Sequence, residues 1–89
     1  GSGEPKMPVN ALTLDSASLD VAYVVQRVPE EDPQLLHFLV RSLIIPDHEI
    51  TVVEAAQYLG VLMVVTQGER VSIGYNVARQ ILVSLPEAA

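Results

Sequence analysis

His37 and His48 are the only histidines, and cysteine is absent. They are therefore the only imidazole or thiolate groups that could hold a transition metal. His48 stands between Asp47 and Glu49, a trio that would attract a cation. A metal site needs two or three ligands converging on one point, often one or two helical turns apart. Neighbours in a turn do not converge by themselves, so the segment reads as a solvated acidic turn. Glu30-Glu31-Asp32 is a second acidic cluster. It could meet a basic partner, but just ahead of a helix start it reads more simply as a solvated boundary favoured by the helix dipole. Ser16, Ser18, Ser42, Ser72 and Ser84 lie in no G-x-S-x-G elbow. No Gly-Lys-Ser/Thr accompanies Gly68 or Gly74. The expectation is a chain that is no enzyme, with no catalytic residue, metal or cofactor.

Composition narrows the classes further. The 89 residues suit one small domain, and 49% hydrophobic content argues against disorder away from the ends. With one Phe and three Tyr, the core must be aliphatic. A net charge of −6 repels a phosphate backbone, and the five Lys and Arg are scattered, so nucleic acid is an unfavourable partner. No apolar run is long enough to cross a bilayer, and no signal peptide is visible. These features point to an intracellular protein of nucleus or cytoplasm.

The elements are organised around Ile50–Thr66, ITVVEAAQYLGVLMVVT. Thr51 and Glu54 fit a capping box, and Val52, Ala55, Ala56, Leu59, Leu62 and Met63 follow helical spacing. Val53, Val61, Val64 and Val65 fill the other faces, so the expected element is a central helix apolar nearly all round. The competing reading makes VLMVV-TQGE-RVSI a hairpin turning at Gln67-Gly68. Upstream, Val21, Val24, Val25 and Val28 suggest a helix over Ser18–Val28, although Leu19, Val21, Tyr23 and Val25 also alternate. Asp32-Pro33 supplies a cap and a first helical residue, with Leu35, Leu36, Leu39 and Leu43 on one face of a helix over Pro33–Leu43, Phe38 and Val40 widening that face, and His37 and Arg41 at the edge or toward solvent. Ser72 could cap a last helix carrying Ile73, Val77, Ala78, Ile81 and Leu82, stopped before Pro86. Gly74 is expected to pack beside that helix, so that Gly74→Leu destabilises. The expected fold is all-α, a small bundle of about four helices around the apolar one; the alternative is α+β with a hairpin at residues 61–73. Residues 1–9 read as a tag and loose N-terminus, and residues 10–86 as a single helical domain, with Asn10–Ser18 docked as an arm.

Two family resemblances bear on this. Thr51–Val61, TVVEAAQYLGV, resembles the first helix and turn of the excisionase and MerR-type helix-turn-helix families. It departs after Val61, where Leu62-Met63-Val64-Val65 replaces a polar recognition helix, and such a helix must offer donors and acceptors to bases. Leu39–Leu82 resembles the domain labelled putative plant transposon protein, through Ile45-Pro46-Asp47-His48, Glu49-Ile50-Thr51, Tyr58–Val65 and Thr66–Gly74, with Arg70 in place of the usual proline. That resemblance implies a helical, gag-like module without catalysis.

Function is expected to lie in protein–protein interaction or self-association, with a homodimer as the simplest outcome. A bundle this small would leave part of its central helix uncovered, and exposed apolar surface marks interfaces. Tyr58, Met63, Val64 and Val65 are the expected partly exposed contact residues. The alternative is a DNA-binding or transcription-associated domain resting on the helix-turn-helix-like segment.

Overall fold

The computed structural model describes residues 11–86; the expected tag at residues 1–9 lies outside the described residues, as does Asn10. In chain order the elements are β1 (Leu12–Thr13), a 3-10 turn (Leu14–Ser16), β2 (Ala22–Arg27), α1 (Pro33–Arg41) and β3 (Glu49–Ala56). A second 3-10 turn (Gln57–Leu59), β4 (Val61–Thr66), β5 (Glu69–Gly74), α2 (Tyr75–Ala78) and β6 (Leu82–Ser84) complete the chain. The six strands form one sheet in the order β1-β6-β2-β3-β4-β5, and every neighbouring pair is antiparallel. The all-α bundle is therefore wrong. An α+β reading with one hairpin also understates a sheet that runs through the whole domain.

The central apolar stretch shows why. Ile50, Thr51, Val52, Val53, Val61, Val64, Val65 and Thr66 are β-branched, stiff at χ1 and well suited to a pleated surface. In β4, Leu62, Val64 and Thr66 are buried while Val61, Met63 and Val65 are half-buried, the period of two that a strand imposes. A segment this apolar satisfies helical spacing too, so spacing could not separate the two. The breaks in the chain do. Gly60 takes φ +74° between β3 and β4. Gln67 and Gly68 take φ +52° and +82°, the paired positive values of a two-residue type I′ hairpin turn. β4 and β5 then pair from Val61↔Gly74 to Thr66↔Glu69 without a shift. β3 carries one irregularity against β4, between Val52 and Glu54.

The flanking elements obey the same logic. Over Ser18–Val28 the alternation wins: Tyr23 and Val25 of β2 are buried, while Ala22 is exposed and Val24 half-buried. The expected last helix shrinks to the four residues of α2, because Ser72 and Ile73 belong to β5 and Leu82 to β6. Gly74 directly precedes α2, and a Cβ there would meet only the Gly60 carbonyl oxygen, at 3.8 Å, an ordinary contact. The N-terminal arm is integrated: Leu14 is fully buried, its N–H donates to the Ile81 carbonyl at 2.9 Å, and β1 pairs with β6.

α1 forms as the sequence dictates, ending two residues early. Asp32 Oδ1 accepts from the Gln34 and Leu35 N–H groups at 3.0 and 3.3 Å, and Pro33 occupies the first turn. Leu39 is the helix's one fully buried residue. Just beyond the helix, the Ser42 carbonyl accepts from the buried Thr66 hydroxyl at 2.6 Å, which ties the end of β4 to the end of α1. The core is aliphatic, as composition requires: Val25, Ile50, Val52, Leu62, Val64, Ile73 and Val83 from strands, with Leu14, Leu39, Ile44 and Ile81 closing over them.

Candidate interaction surface

Of the four expected contact residues, the structure sets Tyr58 furthest into solvent, at 88% exposure. It rides on the 3-10 turn at the tip of the β3–β4 connection, beside Leu59 at 65%. The tip is braced by main chain: Gly60 N–H donates to the Gln57 carbonyl, and Tyr75 N–H donates to the Gly60 carbonyl, both at 3.0 Å. Two large apolar side chains are thus held outward on a fixed turn. Leu59 was missed because helical spacing assigns it to the core.

Met63 and Val65 lie half-buried on the outward side of β4. Their partners on β5 are Ser72 and Arg70, and the Ser72 hydroxyl lies 3.8 Å from the Met63 sulfur. Val64 differs: it is fully buried, pairing with Val52 and Val71, so it is a core residue without the partial exposure expected of it. The strand alternation that exposes Met63 and Val65 necessarily turns Val64 inward.

α1 contributes a second outward surface, at two residues that the sequence reading set on its apolar face. Phe38 and Val40 are 39% and 49% exposed, and Pro33, Gln34, His37, Phe38, Arg41 and Ser42 line an open groove of about 790 Å³. The signal was present, since a nine-residue amphipathic helix on one side of a sheet must show its other side to solvent.

The two histidines sit in different segments, α1 and the connection to β3. His37 is exposed on α1. His48 is half-buried, with Nδ1 3.2 Å from the Leu43 carbonyl oxygen. Its own carbonyl accepts from the Val25 N–H, and the Asp47 N–H donates to the Val25 carbonyl, each at 2.8 Å. Asp47 and Glu49 are exposed. Among the described residues no group of three or more His, Cys, Asp or Glu side chains could hold a metal ion. Among them, too, no helix is long and apolar enough to cross a membrane.

Comparison with known proteins accounts for the sheet. A manganese-dependent transcriptional repressor superposes with a TM-score of 0.80 at 23% identity, over 91% of this chain and 45% of that one. An iron uptake regulatory protein, FeoA, gives 0.72 at 20% identity over 83% and 94%. The iron(II) transport protein A of Clostridium thermocellum gives 0.76 at 19% identity over 83% and 45%. At these identities the likeness is one of fold, and the chain spans less than half the length of the repressor. None of the three is named as an enzyme. No curated protein matches by sequence.

Both family resemblances fall. Thr51–Val61, read as a helix-turn-helix entry, spans most of β3, the 3-10 tip and the first residue of β4. Leu39–Leu82, read as a helical plant transposon module, contains β3, β4 and β5. Those apolar-plus-glycine patterns fit hairpins as well as helices. The FeoA domain profile instead matches residues 12–85, nearly the whole described chain, and the strand-rich, SH3-like sheet agrees with it. The chain belongs to the FeoA domain family.

Proposed function

We propose that this FeoA domain is a non-catalytic protein-binding module in the handling of iron or manganese, meeting a protein partner or a second copy of itself. The observation that carries this reading is the hydrogen-bonded β3–β4 tip, with Tyr58 at 88% exposure and Leu59 at 65%. An aromatic and a leucine held in water on a braced turn cost free energy that contact with a partner recovers. Met63 and Val65, on the outward side of β4, extend the same apolar surface. The link to iron or manganese rests on the repressor and transport proteins that share the fold. An intracellular setting fits a chain without cysteine.

The test is made in cells that express the protein. Replacing Tyr58 and Leu59 together by serine should leave the melting temperature within about 2 °C, because neither side chain is in the core. The same variant should reproduce the change in cellular iron or manganese content caused by deleting the domain. Metal content unaffected by the deletion itself would contradict the reading.

A further inference from the structure

A sheet's edge strands carry a row of main-chain N–H and C=O groups without partners, and natural proteins blunt them with shortness, lysine, proline or bulges. The edges here are β1 and β5. β1 is blunted by length, having two residues. Of such protections β5 has only the charged side chains of Glu69 and Arg70, at one end of the strand. It is six residues long, Glu69–Gly74, without lysine or proline, and its ladder to β4 is unbroken. Among the described residues, its main-chain hydrogen bonds run to β4 and none leaves on the other side. Glu69, Arg70 and Ser72 are exposed.

We propose that β5 is a self-association edge, onto which a second copy of this chain adds its own β5 antiparallel. The proposal rests on the reading of the domain as a protein-binding module, and it names the surface and the occupant. The strand's own sequence selects both partner and register. A two-fold axis normal to the sheet keeps each side chain on its own face, so residues that oppose one another share a face and the axis passes through a residue. An axis at Arg70 would set two guanidinium groups against each other, which is unfavourable. An axis at Val71 would set the Glu69 carboxylate beside Ile73. An axis at Ser72 pairs Ser72 with Ser72 of the second copy, Val71 with Ile73, and Arg70 with Gly74. Hydroxyl then faces hydroxyl, apolar faces apolar on the core side, and each long Arg70 lies over a glycine that leaves it room.

Charge is consistent with this site. The chain carries −6 overall, but β5 holds one glutamate and one arginine and is locally neutral. The remaining repulsion between copies is long-range and screened by salt, so association should tighten as ionic strength rises. Two six-residue strands bury less than the 1,200 Å² or so of a standard stable interface, so the dimer is expected to be weak and to form at high protein concentration.

The absence of cysteine makes the register directly readable. Sedimentation equilibrium of the intact chain up to about 1 mM should show a monomer–dimer equilibrium. Ser72→Lys, a solvent-facing edge lysine, should weaken it at least tenfold with an unchanged circular dichroism spectrum. Ser72→Cys should cross-link to itself under mild oxidation. Arg70→Cys mixed with Gly74→Cys should cross-link several-fold more than either alone, while Gln34→Cys on exposed α1 stays monomeric. Two outcomes overturn the proposal. A monomer throughout the concentration range removes the self-association edge. A dimer that resists Ser72→Lys and cross-links through Gln34→Cys or Tyr58→Cys places the contact elsewhere. Neither touches the protein-binding reading, which is tested separately by the Tyr58 and Leu59 variant and by deletion of the domain.

Discussion

Thr66 shows how much a single side chain can decide here. It is fully buried and its hydroxyl donates to the Ser42 carbonyl at 2.6 Å. Thr66→Val keeps the shape and removes the donor, leaving that carbonyl without this partner. The expected cost is about 1–3 kcal/mol in urea unfolding; a loss below the error of the method would mean the bond contributes nothing net. The turn residues work through the backbone. Gln67 sits at φ +52°, where an L side chain other than Asn or Gly is strained. Gln67→Asn should therefore stabilise by roughly 0.5–1 kcal/mol by creating the Asn-Gly pair that type I′ turns favour. Gly68→Ala, at φ +82°, should destabilise by roughly 1–2 kcal/mol. Opposite signs in thermal unfolding confirm the turn, and equal signs would refute its geometry.

Among the elements, α1 was legible in the sequence and the strands were not, for physical reasons. The start of α1 is encoded within a few residues: Asp32 caps the Gln34 and Leu35 N–H groups, and Pro33 has its φ preset for the first turn. Asp32→Ala should cost about 1 kcal/mol, measured by chemical denaturation; an unchanged midpoint would show that the cap is replaced by water. Strand identity depends on partners far along the chain. β2 pairs with β3 and with β6, more than fifty residues away, and no local pattern announces that pairing. The 61–73 segment carried both signals, and its deciding marks were Gly60 and Gln67-Gly68 rather than the valines between them. Among the expected contact residues, Tyr58 is exposed and Met63 and Val65 are half-buried. Val64 could not be placed without knowing that the period was two.

For the molecule as a whole, the sheet changes the reason to expect interaction. In a helical bundle the motive was an apolar rod too large for its neighbours to cover. In the folded sheet that apolar content is consumed: Ile50, Val52, Leu62 and Val64 are all within 2% of complete burial. What remains outside is smaller and better defined, at the Tyr58-Leu59 tip, the outward side of β4, the free edge of β5 and the exposed side of α1. These surfaces are the ones that the proposed protein-binding role would use. The measurement that tests this most directly places a photoreactive benzophenone side chain at position 58 and irradiates the protein in its native cells. The account predicts a discrete covalent adduct with a protein, at the mass of a second copy or of a defined partner, lost when Leu59 is changed to aspartate. Irradiation that leaves the chain unadducted, while the same probe on a known complex reacts, would contradict it.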